Sequence, residues 1–337
     1  MKKWWKGIAA TGLAGSMLLA GCGGETGGES GSGEQGASGN NQGETYQIGV
    51  TQLVEHPSLD NAYDGFKKAI EDAGLEAEFD VQIAQGDQNN NQTIANNLAG
   101  NNVDLIFANS TPSAVGALNA TKDIPIVFTS VSDPKAAGLV KDPEKPGANV
   151  TGTTDLHPEA IPKTIEFMAN EFEGKRVGTI YNAGEQNSVA QIEEVKKIME
   201  ENGLEVVPVT VSASSEVKQA AESLVGKADM IYIITDNTVV SALESVIQVA
   251  NQEDIPLFVG ELDSVKRGGF AAYGFEYYDI GYEAGEMAAK ILKEGEAPAN
   301  MPVQPPQNLK LLINEQAAKE MNIEIKEDWK DQAEFTK

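Results

Sequence analysis

The chain has 337 residues, of which 41% are hydrophobic, enough for two domains that each own a core. Acidic residues outnumber basic ones by 51 to 25, and the resulting formal net charge of −26 disfavours binding to nucleic acid. The single cysteine, Cys22, excludes a disulfide framework.

The first residues have the pattern of a bacterial export signal. Lysines open the chain, and the apolar stretch 8–20 that follows is too short to span a bilayer comfortably. The string Leu19-Ala20-Gly21-Cys22 resembles the lipobox of bacterial lipoproteins, which implies that a signal peptide, residues 1–21, is removed and that Cys22 is lipid-modified. Residues 22–44 are mostly Gly, Ser, Glu, Gln and Asn, a composition typical of a disordered linker. We therefore predict an exported protein that is lipid-anchored to the outer face of the cell membrane.

From residue 46 onward, short apolar runs rich in β-branched residues alternate with longer amphipathic segments. This alternation is typical of an α/β fold, in which helices cover both faces of parallel sheets. In a first unit we predict strands at 46–51, 77–84, 103–108 and 124–128, with helices at 59–73 and 88–100. In a second unit we predict strands at 176–181, 204–211, 230–234 and 255–259, followed by a strand at 270–275, a helix at 280–293 and a strand at 309–312.

The two units share local sequence, which indicates two similar lobes. Asp123-Ile124-Pro125 corresponds to Asp254-Ile255-Pro256, for example. We predict two Rossmann-like doubly wound lobes, lobe 1 from residues 46–153 plus 266–300 and lobe 2 from residues 154–264 plus 303–337. The chain then crosses between lobes near Thr153, Ser264 and Pro302, which makes a three-strand hinge. The polar, Gly-rich stretch 146–154 is predicted to be an interlobe connection.

Several short strings in this frame carry a family resemblance. Glu55-His56-Pro57-Ser58, Asn109-Ser110-Thr111-Pro112, Asn149-Val150-Thr151-Gly152 and Asp236-Asn237-Thr238 resemble the solute-binding proteins of ABC importers, and among them the subfamily assigned tryptophan, tyrosine or phenylalanine. The resemblance implies the type I periplasmic-binding-protein fold and capture of an aromatic amino acid by hinge closure. It also implies a permease and ATPase subunits as partners.

The carboxyl ends of the strands are the expected binding edge of such lobes. In lobe 1, Ser110 and Thr111 begin a helix whose N-terminus can hold a carboxylate, and Thr129 and Ser130 end the next strand. Related amino-acid receptors hold the α-carboxylate at similar positions, so the resemblance assigns this group to lobe 1. A capping role alone is the alternative for Ser110 and Thr111.

In lobe 2 we predict Asp236 and Glu261 as partners of the α-ammonium group, because an unpaired buried cation is costly. A helix cap is the alternative for Asp236, and an exposed loop charge is the alternative for Glu261. Phe275 and Tyr181 are candidates for packing on an aromatic ligand. The other predicted binding residues lie on the same loops and strand ends: His56, Leu59, Gln85, Asp133, Asn182, Glu185, Asn187, Ser188, Asn237 and Thr238.

Other functions remain open at this point. The same fold could bind a branched amino acid, a nucleoside or a sugar, and a lipoprotein of this kind could instead report a ligand to a membrane kinase. A surface enzyme would use Glu185, Asp236 or Glu261 as a general acid or base. The sequence has no Gly-rich phosphate motif, nucleophile elbow or zinc-ligand spacing, so we expect neither catalysis nor a cofactor or metal.

Overall fold

Two sheets of mostly parallel strands organise the chain in a computed structural model that describes residues 45–337. The predicted signal peptide, Cys22 and the linker lie outside the described residues. The strands are β1 (Thr45–Gln52), β2 (Glu76–Ile83), β3 (Leu105–Asn109), β4 (Ile126–Val131), β5 (Val150–Thr154), β6 (Arg176–Asn182), β7 (Glu205–Val211), β8 (Met230–Ile233), β9 (Leu257–Val259), β10 (Ala271–Gly274), β11 (Lys310–Asn314) and β12 (Ala333–Thr336). The α-helices are α1 (Pro57–Asp72), α2 (Gln88–Gly100), α3 (Thr111–Ala120), α4 (Ala160–Glu171), α5 (Gln186–Glu201), α6 (Val217–Leu224), α7 (Asn237–Val240), α8 (Leu243–Gln252), α9 (Leu262–Arg267), α10 (Tyr277–Glu294) and α11 (Glu315–Glu320).

Lobe 1 is built on a five-stranded parallel sheet in the order β2-β1-β3-β4-β5. Three of its five strands, β3, β4 and β5, are buried throughout, as expected for a parallel sheet covered on both faces. One face packs against α1 and α10 through a core that includes Phe66, Phe107 and Met287. The other face packs against α2 and α3 through a core that includes Leu98 and Ala117.

Lobe 2 is built on a seven-stranded sheet in the order β12-β11-β10-β9-β8-β6-β7. All its neighbouring strands are parallel except β10 and β11, which pair antiparallel. Its core includes Trp329, whose ring lies 5.1 Å from that of Phe167, centroid to centroid. The predicted fold class, two doubly wound α/β lobes, is confirmed.

Two details of the predicted organisation are wrong. The stretch 146–154 is not only a connection, because Val150–Thr154 is the buried strand β5 and pairs with β4. Its polar side chains find partners inside the protein: the Thr151 hydroxyl donates to the carbonyl of Met301 at 2.7 Å, and the Thr153 hydroxyl donates to that of Ile280 at 2.9 Å. Hydroxyl groups that are hydrogen-bonded can be buried in a strand. The polar composition of residues 150–154 therefore does not reveal that they form a strand.

The second error concerns residues 266–274, which the sequence pattern assigns to lobe 1. Strand β10 pairs with β9 and β11 in the sheet of lobe 2, so the chain crosses to lobe 1 between Gly274 and Tyr277 rather than near Ser264. Strand β12 at the far edge of the same sheet is absent from the prediction. A lone bridge between Thr153 and Gln304 lies where the first and third crossings run side by side.

Helices α1 and α10 lie in unusually close contact on lobe 1. An added Cβ at Gly65 would stand 2.1 Å from the carbonyl oxygen of Tyr278, and one at Gly281 would stand 1.9 Å from that of Ala62. Only glycine fits at either position, so this interface fixes α10 to lobe 1. Among residues 45–337, no helix combines the length and the apolar character needed to cross a membrane.

Candidate functional site

The lobes touch through polar side chains at the edge where their strands end. The Ser58 hydroxyl at the start of α1 donates to the carboxylate of Glu261 in lobe 2, and both residues are buried. The Asn61 amide donates to Asp263 at 3.0 Å. Farther along the gap, the amide of Gln191 in lobe 2 donates to the hydroxyl of Ser132 at 2.9 Å. These contacts require the lobes to be closed on each other.

The gap between the lobes contains several cavities. One of about 550 Å³ lies between residues 86–89 of lobe 1 and residues 182–185, 210–212 and 216 of lobe 2. A smaller one of about 180 Å³ is lined by Thr111 and neighbouring residues of α2 and α3 on one side and by Gly184 and Gln186 on the other. Both cavities therefore have walls from the two lobes.

The backbone of lobe 1 is strained at this edge. Gln85, Ser110 and Ser130 have φ values of 56°, 117° and 57°, in the region that favours glycine. Each follows or ends a strand, namely β2, β3 and β4. Such conformations cost about 1–3 kcal/mol each and cluster at ligand sites. All three positions are among the predicted binding residues.

Helix α3 begins at the strained Ser110. The Ser110 hydroxyl accepts a hydrogen bond from the Ser113 amide at 3.3 Å, so the predicted capping role is present. The hydroxyl oxygen of Thr111 is buried without a hydrogen-bond partner. The side chains of Thr129 and Ser130 are instead engaged within lobe 1, with Thr153 and Asn109 at 2.8 Å each. Thr111 is thus the hydroxyl of this group that has bonding capacity to spare.

Two buried carboxylates of lobe 2 are occupied by the start of helix α7. Glu185 accepts hydrogen bonds from the backbone amides and side chains of Asn237 and Thr238. Asp236 accepts from the Val239 amide at 2.8 Å and from the Asn182 amide at 2.7 Å. Burial, together with the charge of Glu185, raises the pKa of Asp236 to about 7. Both carboxylates therefore hold the local structure, whatever else they bind.

Glu261 has different surroundings. Its carboxylate accepts from Ser58 of lobe 1 and, at 3.0 Å, from Ser264 of its own helix. Burial raises the pKa of Glu261 to about 7, and the charge of Asp263 adds to the rise. The alternative, an exposed loop charge, is wrong, because Glu261 is only 3% exposed.

The structure adds Asp155, which sequence reasoning missed. It follows β5 at the first crossing and is buried. One carboxylate oxygen accepts from the Tyr277 hydroxyl at 2.9 Å, and the other is buried with no hydrogen-bond partner. Burial raises the pKa of Asp155, while the Tyr277 and Ser132 hydroxyls oppose the rise. Recognition of β5 as a strand would have pointed to Asp155, because it is the residue at that strand's carboxyl end.

His56 lies at the N-terminus of α1 and faces lobe 2. Both ring nitrogens are buried without a hydrogen-bond partner of good geometry. Burial lowers the pKa of His56 to about 3, and the positive charge of Arg267 lowers it further, while Asn237 acts in the opposite sense. The ring is therefore neutral when the lobes are closed.

The remaining predicted residues divide into two groups. The members of one group are buried: Leu59, Asn187, Ser188 and Phe275. The Asn187 side-chain oxygen has no partner, and the Phe275 ring stacks on that of Tyr277 with centroids 5.6 Å apart. The other group has structural surroundings. Asp133 and Gln85 are exposed, with Asp133 bound to the amides of its own turn, and Tyr181 packs against the core of lobe 2. In the part of the chain that the structure describes, no His, Cys, Asp and Glu cluster could hold a metal ion.

Comparison with known proteins identifies a family and several relatives with this architecture. Residues 47–337 match the family described as ABC transporter substrate binding protein. A protein of Clostridioides difficile named tyrosine-binding protein is 45% identical over 282 residues, which cover 82% of this chain and 81% of the relative. A Vibrio cholerae structure described as a conserved domain protein has a TM-score of 0.84 at 38% identity and covers 87% of this chain and all of its own.

Two other solved structures differ in how well they superpose on this chain. An ABC domain from Streptococcus pneumoniae in complex with L-Trp has a TM-score of 0.82 at 32% identity, covering 87% of this chain and 99% of its own. The ligand-free, open structure of a Clostridium difficile substrate-binding protein with adhesive properties is more similar in sequence, at 42% identity with the same coverage, yet its TM-score is 0.64. The present structure therefore resembles the ligand-bound arrangement, in keeping with its cross-lobe contacts. Two closed α/β lobes around a polar gap, together with the match over residues 47–337, show that the chain belongs to the ABC transporter substrate-binding protein family.

Proposed function

We propose that this protein captures an aromatic amino acid, tyrosine or tryptophan, between its two lobes. The observation that carries the proposal is the set of buried polar atoms without partners beside the gap: Thr111 from lobe 1, Asp155 from the first crossing and Asn187 from lobe 2. Buried polar groups are normally hydrogen-bonded, so a bound polar molecule is the natural partner for them. The relatives named for tyrosine and crystallised with L-Trp supply the class of ligand.

The carboxylate of the ligand is assigned to lobe 1. The N-terminus of α3 supplies backbone amides and a positive helix end, and the Thr111 hydroxyl beside it has bonding capacity to spare. The stacked rings of Phe275 and Tyr277 supply a flat apolar surface on the hinge side. With its carboxylate and aromatic ring placed in this way, the ligand has its ammonium group on the side of the buried carboxyl groups.

Closure follows from the same geometry. Contacts such as that of Ser58 with Glu261 form only when the lobes meet, and a ligand that touches both lobes binds the closed form more tightly than the open one. Binding thus shifts the population toward the closed form, which an importer can recognise by shape.

The protein serves binding rather than catalysis, and its partners are the permease and ATPase subunits of an importer. The export signal and the lipobox-like string ending at Cys22 would anchor it by lipid to the outer face of the membrane. The linker would let the folded part reach a membrane-embedded permease.

A thermal-shift and calorimetric screen of the purified protein tests this proposal. The panel contains all amino acids, common nucleosides and common sugars. We expect tyrosine or tryptophan to raise the melting temperature with increasing concentration, as a ligand of the folded state must. Stabilisation by a sugar or a nucleoside, with none by any aromatic amino acid, would refute the ligand class. Chemical conversion of the bound compound would refute a purely binding role.

A further inference from the structure

Asp155 occupies the point where the two lobes meet the hinge. It directly follows the first crossing, and the Tyr277 hydroxyl that contacts it directly follows the second. The Asp155 backbone amide donates to the carbonyl of Val131 at 3.2 Å, which ties the residue to the end of β4. A group in this position is adjacent to both lobes at once.

The bonding of Asp155 is incomplete, unlike that of Asp236 and Glu185. Asp263 also has an unpartnered oxygen, but its other oxygen is already paired with Lys266. Asp155 is 6% exposed, and one of its oxygens accepts no hydrogen bond. Each oxygen of Asp236 already accepts a backbone amide, and both oxygens of Glu185 accept donors from Asn237 and Thr238. An unpaired buried carboxylate oxygen costs free energy that a positively charged donor would offset.

The negative charges near Asp155 also favour the binding of a cation. Glu261 and Asp263 lie close enough for their charges to act on the same Tyr277 hydroxyl that contacts Asp155. Asp263 has Lys266 at 3.2 Å, but among the described residues no Lys, Arg or His lies within ion-pair distance of Asp155 or Glu261. Asp155 and Glu261 are therefore negative groups with no ion-pair partner among residues 45–337.

We propose that Asp155 receives the α-ammonium group of the ligand and that Tyr277 is a positioning residue, which holds the carboxylate toward the gap through its hydroxyl. This inference rests on the proposed function, since it presumes an amino-acid ligand. It assigns to Asp155 the role that the sequence pattern assigns to Asp236 and Glu261. Glu261 contributes to the negative field, and its Oε2 already accepts from Ser58 across the gap and from Ser264 of its own helix.

Isothermal titration with matched ligands tests the assignment. The ligands are L-tyrosine and 3-(4-hydroxyphenyl)propionate, which lacks only the amino group. Asp155→Asn should weaken tyrosine binding by about 10- to 100-fold and leave binding of the deaminated compound nearly unchanged, because a lost charged hydrogen bond acts on the amine alone. Asp236→Asn is the matched control, and its effect on the two ligands should be equal.

Tyr277→Phe keeps the test decisive if Asp155→Asn does not fold. Loss of the hydroxyl should weaken tyrosine more than the deaminated compound, whereas a merely structural role would weaken both equally. Equal losses in Asp155→Asn and Tyr277→Phe, or an amine-selective loss in Asp236→Asn, would overturn the assignment. The proposed function fails separately, when the unaltered protein binds no aromatic amino acid.

Discussion

Gly281→Ala should destabilise the protein through one added methyl group. Gly281 lies on α10 where that helix crosses α1, and a methyl carbon added there would stand 1.9 Å from the carbonyl oxygen of Ala62 and 2.5 Å from the carbonyl carbon. Both atoms belong to the backbone of α1. A side chain could rotate away from the new methyl, but a helix backbone can only be displaced.

The size of the effect follows from these distances. Carbon and carbonyl oxygen atoms pack at about 3.3 Å or more, so the helices must separate by about 1.4 Å. Overpacking of this kind costs about 1–3 kcal/mol, and the absence of a flexible neighbour puts Gly281→Ala near the upper end. Alanine regains roughly 1 kcal/mol of helix propensity. We expect a net loss of about 2 kcal/mol in the free energy of unfolding, or about 4–8 °C in melting temperature.

Urea unfolding of the purified variants measures this directly. Gly100→Ala is the matched control, because Gly100 ends helix α2 and an added Cβ there meets nothing within 4 Å. The control should be neutral or stabilised by up to about 1 kcal/mol. A Gly281→Ala variant as stable as the unaltered protein, or an equal loss in both variants, would show that the contact between α1 and α10 does not exclude a methyl group at Gly281.

Three further predictions concern the gap and the core. Ser58→Ala should weaken tyrosine binding about tenfold or more, because closure would bury the Glu261 carboxylate without its cross-lobe donor. The control Ser264→Ala should mainly lower the free energy of unfolding. Calorimetry that shows no change in tyrosine affinity for Ser58→Ala would contradict this prediction. Burial lowers the pKa of His56 to about 3 in the closed form, and an open form that exposes the ring would return the pKa toward the ordinary value of 6.5. Closure then releases a proton, so binding weakens as the pH falls through 6.5. Relative to His56→Gln, the unaltered protein should lose about tenfold in affinity between about pH 7.5 and about pH 5.5, and parallel pH profiles of the two would argue against burial of His56 on closure. Trp329→Ala should cost about 3–5 kcal/mol in urea unfolding, since the indole is buried among three phenylalanine rings of lobe 2, and a loss below about 1 kcal/mol would show that this cluster is not a core.

The fold is largely predictable from sequence because parallel strands buried on both faces are nearly continuous apolar runs. Strands such as β3 and β9 follow this rule, and helix α2 has the bounds predicted for it. Strand β5 is not predicted because its polar, threonine-rich sequence is typical of a loop. Its burial is possible only because the threonine hydroxyls find hydrogen-bond partners in distant parts of the chain. The lobe to which β10 belongs depends on pairing with distant strands, which local pattern does not encode.

The site is predictable in outline and not in detail. The carboxyl-edge rule leads to Ser110, Thr111 and Glu261; Thr111 lines a cavity between the lobes, and Glu261 is hydrogen-bonded across the gap. The rule cannot tell a carboxylate already occupied by backbone amides, such as Asp236, from one with a free oxygen, because both follow a strand in the same way. The sequence pattern does not indicate Asp155 because it does not indicate β5, the strand that Asp155 follows. Whether these residues bind the ligand stays a prediction.

A crystal structure of the protein grown with L-tyrosine would show where the ligand binds. We expect closed lobes with tyrosine between them, its carboxylate at the N-terminus of α3, near Thr111, and its amine at the free oxygen of Asp155. Tyrosine bound outside the gap, or a gap closed by protein side chains with no ligand inside, would contradict this expectation.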